Sequence, residues 1–267
     1  MNNSILKAYE ERPRNAVQQL LIVAVVFGLL LWSALSMEAT GAGDSGVGIA
    51  GNIIKGLLRP DTSLIFSLKN DGVPYLLLET VCIAFLGTVV GAVIAVPLAF
   101  LSASNIAPKW LVFITQLIIM GVRTMPATVY GLMFIRVTGP GPFAGLLTMS
   151  FCSIGMVSKM YVETIEDLDK GVLESMTASG CTTFQKIRYG IVPQLLPNFA
   201  STAIYRFDMN LRDATILGLV GAGGIGAPLI FAMGEYSWNR AGAILWGVIV
   251  LVLLVEFIST KIRVKLA

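Results

Sequence analysis

Apolar runs long enough to cross a lipid bilayer recur through the chain. Val17 to Ser36, Leu76 to Leu101 and Ala241 to Ile258 carry almost no charge. Trp110 to Phe134 is interrupted near Pro126, Phe143 to Val157 is shorter, and Leu195 to Val220 is polar in its middle. A hydrocarbon core about 30 Å thick needs roughly 20 helical residues, since only helices and closed barrels satisfy every backbone group there. The runs predict an all-α integral membrane protein with about six transmembrane helices. Composition agrees: 13% of residues are charged, against about 25% in soluble domains. The first run, taken alone, also fits a signal peptide, with Ala34-Leu35-Ser36 as a cleavage site. It exceeds the 7–15 residues of a signal core, so we read it as a retained span.

Lysine and arginine placement orients the spans, because cytoplasmic loops carry the excess. With the N-terminus inside, eleven basic residues fall on the cytoplasmic side: Lys7, Arg12, Arg14, Lys109, Lys159, Lys170, Lys186, Arg188, Lys261, Arg263 and Lys265. Five fall outside: Lys55, Arg59, Lys69, Arg136 and Arg240. Both termini are therefore expected in the cytoplasm. The predicted organisation is an N-terminal anchor helix with an external linker (1–75), a membrane-spanning core (76–260) with a cytoplasmic loop at 159–193, and a basic tail (261–267). The stretch "GAGDSGVGIAG" reads as flexible linker, and "RPDTSLIFSLKNDG" as a short surface helix.

The loop "ESMTASGCTTFQKIRYGIVP" is polar between apolar neighbours. Asp169-Lys170-Gly171 is a turn signal. Val172 to Ser179 is expected to be helical, with Glu174 in the first turn, where a carboxylate suits the positive end of the helix dipole. Gly180 supplies the left-handed residue that ends such a helix. Thr182, with Gln185 three residues on, forms a capping box for a second short helix. Pro193 then opens the next span. Two short helices are marginal alone in water and call for a docking surface, either the bundle's own end or a partner.

Glu174, Gly180 six residues on and Pro193 thirteen further resemble the EAA motif of ABC-importer permeases. Ser175 and Met176 stand where that motif has alanines, and its ending is Gly190-Ile191-Val192-Pro193 here. Downstream, Pro193-Gln194 with Pro197, Tyr205-Arg206-Phe207, Asn210, Arg212-Asp213-Ala214-Thr215 and Gly218 with "VGAGGIG" look like the phosphonate/phosphite branch of these permeases. "ETVCIAFLGTVVGAVIAVPLAFLSASN" and "GPGPFAG" look similar too. The resemblance covers roughly 60–263. It implies a MetI-like type I ABC importer permease core in the cytoplasmic (inner) membrane, working as a homodimer with two cytoplasmic ATPase subunits and an external solute-binding protein. It also implies that the loop is a coupling helix seated on the ATPase through Glu174, Ser175, Gly180, Cys181, Thr182 and Pro193. On this reading hydrolysis belongs to the partner subunit and the chain needs no cofactor of its own.

Two features remain open at this level. Gly221, Gly223, Gly224 and Gly226 satisfy a dinucleotide-binding spacing, yet a span and not a strand precedes them, so the nucleotide reading lacks its context. They are either a hinge or gate at the outer end of a pathway, or a site of tight packing. Arg206, Asp208, Asn210, Arg212 and Asp213 lie inside a span, where each Arg or Asp costs about 2.5–3.5 kcal/mol. Asp208 and Arg212 share a helix face, as do Arg206 and Asp213 two turns apart. They either neutralise one another or, with Arg123 before Pro126, line an anion route, since guanidinium forks match phosphoryl oxygens. The chain has no histidine, and Cys82, Cys152 and Cys181 are far apart, so no metal site is expected. An importer of another small solute, such as an amino acid, or an ATPase-independent transporter are the competing functions.

Overall fold

A computed structural model describes residues 16–36, 44–69 and 71–266. Lys7, Arg12 and Arg14, on which the orientation partly rests, and the first linker residues, 37–43, lie outside the described residues. Every described residue that has regular structure is helical. In chain order the helices are α1 (Ala16–Ser36), α2 (Asp44–Leu58), α3 (Thr62–Ile65), α4 (Val73–Ser102), α5 (Lys109–Thr124), α6 (Ala127–Thr138), α7 (Pro142–Glu166), α8 (Lys170–Ala178) and α9 (Thr183–Gln185). A π-turn (Lys186–Ile191) leads into α10 (Val192–Leu219), followed by α11 (Gly226–Gly234) and α12 (Trp238–Leu266).

The chain divides into two units at Gly51, within α2. In the first, α1 is exposed along its length from Gln19 to Ser36, as expected for a helix whose partner is lipid. In the second, α4, α7 and α12 are long and apolar enough to span a membrane, as is α1. α5 and α6 make one further span if taken together; they meet at a bend of 87° around Met125-Pro126. That bend is the predicted interruption, and proline's missing N–H and fixed φ supply its cause. The sixth predicted span, α10, has 28 residues and sufficient length, but its charged middle lowers its apolarity.

α4 and α7 form the spine. The buried face of α4 carries Ala84, Gly87, Thr88, Gly91, Ala95 and Ala99, all small and recurring along one side of the helix. Side chains at Gly87 and Gly91 would collide with Met149 and Ser153 of α7. Small residues let backbones approach where lipid removes the usual hydrophobic drive between helices. At one end of this spine Val157, Tyr161, Val162 and Ile165 pack with Ile191, Leu195 and Phe199. Tyr161 stacks on Phe199 at 4.0 Å between centroids, and its hydroxyl donates to the Phe199 carbonyl at 3.1 Å. At the opposite end Val73, Ile225, Leu229, Ala232, Ala241 and Ile244 form a second cluster.

Two expectations need correction here. The Gly-rich stretch is helical from Asp44, not linker. Glycine costs about 1 kcal/mol in a helix interior, but Gly56 lies against the Trp238 backbone and Gly242 against Gly56, a contact no larger residue permits. Trp246 Nε1 adds a 2.8 Å hydrogen bond to the Leu57 carbonyl. The second short helix of the polar loop is also not separate: it is a single turn, α9, that continues through the π-turn into α10.

Candidate functional site

The loop between α7 and α10 is built by local caps. Asp169 accepts from the Gly171 N–H at 2.9 Å and starts α8 at Lys170, two residues before the expected start. Glu174 is therefore the fifth helical residue, beyond the first turn where the dipole acts, which corrects its expected placement. At the other end Gly180 has φ +76°. Its N–H donates to Thr177 and the Cys181 N–H to Met176, each at 3.0 Å, the paired bonds of a Schellman motif. The Thr182–Gln185 capping box is formed in both directions. Met176 and Val172 lie against Gly190 in the π-turn, so one face of α8 rests on the base of α10. Glu174, Ser175 and Gly180 are exposed on the rest of the knuckle, Thr182 is exposed beside it, and Cys181 is half-buried.

The charges of α10 meet side chains of three other helices. Asn210 is fully buried, and its amide donates to Thr88 Oγ1 of α4 at 2.8 Å and to Ser153 Oγ of α7 at 2.7 Å. Arg206 is 5% exposed; Nε donates to the same Ser153 hydroxyl at 3.2 Å, and NH2 lies 3.9 Å from Asp213. Arg212 is half-exposed and bridges two carboxylates, Asp208 at 2.9 Å and Glu256 of α12 at 3.3 Å. Asp208 itself is buried. Both sequence pairings are thus present, and Asn210 sits between them as the tie to the spine. Arg123 is apart from this cluster. It is exposed, its stem lies over Gly155, and no ion pair engages it among the described residues.

Thr88, Ser153 and Glu256 were not singled out by sequence. The first two sit among small residues and read as packing. Glu256 had a usable signal, a lone carboxylate within an apolar run, which is costly in lipid unless paired.

The Gly-rich segment is a compact turn at the far end of the spine. Gly221, Gly223 and Gly224 all have positive φ. The Gly224 N–H donates to Glu79 Oε1 at 2.8 Å and the Ile225 N–H to Thr80 Oγ1 at 3.0 Å. A side chain at Gly223, Gly224 or Gly226 would strike Pro142, Thr80 or the Thr215 carbonyl. Close packing is what these glycines do in this conformation, and Glu79 and Thr80 are the residues that pin them.

Residues 87–263 match the family described as binding-protein-dependent transport system inner membrane component. The phosphite transport system permease protein PtxC of Stutzerimonas stutzeri is 33% identical over 250 residues, covering 92% of this chain and 89% of that protein. The phosphate-import permease protein PhnE of Mycolicibacterium smegmatis is 36% identical over 189 residues, which are 70% of this chain and 36% of that one. A structure of the MetNI methionine ABC transporter in an inward-facing conformation superposes with a TM-score of 0.63 at 21% identity, over 72% of this chain and 94% of that one. The spans, the capped loop and the match over 87–263 converge: the chain belongs to the family of inner-membrane components of binding-protein-dependent transport systems, as a permease subunit of an ABC importer that works with separate ATPase subunits and a solute-binding protein.

Proposed function

We propose that this permease imports phosphonate- or phosphite-type anions. It acts as a homodimer with both termini in the cytoplasm, and its 159–193 loop is the contact with the ATPase. The observation that carries the substrate class is the 33% identity to a phosphite permease along nearly the whole of both chains. Supporting the coupling role, the exposed residues of α8 stand on a helix whose other face is seated on α10, the helix that bears Arg206 through Asp213. A push on α8 is thereby delivered to α10 through Met176 and the π-turn. Residues 76–260 serve as the core and 1–75 as anchor and external segment.

Within α10 the half-exposed Arg212 is the better candidate for meeting a passing anion, and the enclosed Arg206 acts as scaffold. The Gly221–Gly226 turn acts as a gate only where Glu79 and Thr80 release it.

The test is uptake by the chain reconstituted in proteoliposomes with its ATPase and binding protein. ATP-dependent uptake of phosphite or methylphosphonate, and not of methionine, is the expected result. Uptake of methionine alone would move the chain to an amino-acid importer. Accumulation without ATP would remove the ATPase-coupled reading.

A further inference from the structure

The second unit carries a side-chain cluster that neither the coupling loop nor the charges of α10 account for. It lies where the end of α2 crosses the start of α12. Gly56 and Gly242 bring the two backbones into contact, and the Asp61 N–H donates to the Asn239 carbonyl at 3.0 Å. Above this junction is an open depression of about 500 Å3. Lys55, Arg240, Asn52, Asn239, Tyr236 and Trp238 line it. All six side chains end in N–H or O–H donors. Among the described residues, five of them make no hydrogen bond within the protein, and Arg240 has one exposed partner, Glu235, at 3.7 Å.

One carboxylate, Asp61, also stands in the wall. Asp61 Oδ1 accepts from the Ser63 hydroxyl at 2.6 Å and the Ser63 N–H at 3.0 Å. The Ser63 hydroxyl, foremost, holds the Asp61 carboxyl below its ordinary value despite an opposing effect of burial. Oδ1 takes both bonds in capping α3, and Arg240 stands close enough to Asp61 to lower it further. Arg240 is thus shared between Asp61 and Glu235, while Lys55 has no carboxylate partner among the described residues.

Tyr236 marks the same place independently. It is the one non-glycine with positive φ among the described residues, at 57°. The Ser237 N–H donates to Ala232 at 2.9 Å and the Tyr236 N–H to Met233 at 3.2 Å, so Tyr236 occupies the left-handed position of a Schellman motif. Glycine takes that position at no steric cost, and tyrosine does not. Residues held in such conformations gather at functional sites, and the inference runs from the outlier to the role. Here the strained backbone directs a phenol toward Trp238, with ring centroids 5.9 Å apart, beside Lys55 and Arg240.

We propose that this depression binds a tetrahedral phosphorus oxyanion, held by the Arg240 fork and the Lys55 ammonium and flanked by the donors of Asn52, Asn239, Tyr236 and Trp238. Arginine engages two phosphoryl oxygens at once and lysine acts as a point charge beside it. Two sources present the same group. One is free substrate, which rests on the phosphonate/phosphite reading above. The other is a phospholipid headgroup, since Trp and Tyr at the end of a spanning helix mark the interface and adjacent basic residues recognise lipid phosphate.

The experiment uses the full chain in lipid nanodiscs, without ATPase or binding protein. Equilibrium dialysis with labelled phosphite measures free-anion binding, and native mass spectrometry measures retained phosphatidylglycerol. The variants are Lys55→Ala with Arg240→Gln, and Tyr236→Gly. Loss of charge-assisted bonds predicts at least about tenfold weaker phosphite binding, or loss of the retained lipid, in the double variant. Tyr236→Gly is expected to weaken binding while melting no earlier than the parent, because glycine relieves the left-handed position. Phosphite binding that falls in the variants assigns the site to substrate; lipid retention that falls assigns it to the headgroup. Phosphite binding and lipid retention that are both unchanged in the variants overturn the proposal. Uptake in the complete transporter is scored separately. Phosphite uptake with no binding at this depression leaves the transport reading intact and removes this one; lipid bound here without phosphite uptake does the reverse.

Discussion

The base and the middle of α10 are built on opposite principles. Its base, with α8 and the capped loop, is held by bonds between residues a few positions apart: Asp169 to Gly171, Cys181 to Met176, Thr182 to Gln185. Its middle is held by bonds that span the chain: Asn210 to Thr88, Arg206 to Ser153, Arg212 to Glu256. The first arrangement lets a short element move as a unit in water, because its hydrogen bonds travel with it. The second ties α10 to three other helices, α4, α7 and α12, and at the buried Asn210 and Arg206 no water replaces a lost partner, so it resists change. The coupling role proposed above needs both, a base of α10 that can take in motion and a middle that keeps the bundle intact.

The largest test of that contrast is Gly91→Leu. Gly91 faces the Ser153 side chain and the Ser150 carbonyl, with no room for a Cβ. Overpacking a close helix contact costs about 3 kcal/mol or more, so detergent-stable protein should largely disappear. The same change at Gly28, which has no neighbour within 4 Å, should leave yield unaltered. Equal yields from the two variants would remove the rigid spine from the comparison.

Next comes the pair Asp208 and Arg212. Sequence made them symmetric partners, but Arg212 has Glu256 as a second carboxylate, and the buried Asp208 has Arg212 alone as ion-pair partner among the described residues. Arg212→Gln strands a buried carboxylate, commonly a loss of about 3–5 kcal/mol, and the half-exposed guanidinium places it at the low end. Asp208→Asn leaves Arg212 paired with Glu256 and should cost less than about 1 kcal/mol. Melting of the solubilised variants should show this asymmetry, and the double variant should recover stability. If uptake recovers along with stability, Arg212 is scaffold only; if uptake stays lost, Arg212 meets the anion.

How much of this was legible in the sequence follows the same division. Gly180, the Thr182–Gln185 box and the break at Pro126 depend on residues near in the chain, and all three were readable. The pairs within α10 were readable because helical spacing alone brings Asp208 to Arg212 at i, i+4 and returns Arg206 and Asp213 to one face after two turns. Asn210's partners were not, because Thr88 and Ser153 lie 122 and 57 positions away in apolar runs, and pattern carries no information about which helices meet. The Gly-rich linker was misread for a related reason: its low propensity is real, but the helix runs on to Leu58, where Gly56 packs against α12, a contact that pattern does not show.

At the coupling end Gly180→Val should have a smaller and more local effect. Space is not the obstacle, since no atom lies within 4 Å, but φ of +76° is. A β-branched residue there costs roughly 1–2 kcal/mol in the turn, while insertion and yield stay normal. Stimulation of the ATPase should fall, and Gly180→Asn should retain most of it because asparagine tolerates the left-handed region. Normal stimulation by the valine variant would mean that the end of α8 plays no part in docking.

The smallest effect on the fold, and the sharpest on the comparison, is expected from Glu174→Lys. Had Glu174 stood in the first turn, charge reversal would weaken α8 itself by up to about 1 kcal/mol through the dipole. It stands in the second turn, exposed, while Asp169 caps the helix. Reversal should therefore leave amide exchange across 170–178 unchanged. Any drop in ATPase stimulation must then come from the exposed face of α8 and not from a melted helix. Faster exchange together with lower stimulation would return the effect to helix stability, and the knuckle would be a cover for the base of α10 in place of a contact. Unchanged exchange with lost stimulation would place Glu174 in the docking surface, where a basic patch on the ATPase is the expected complement and a charge reversal on that patch should restore coupling.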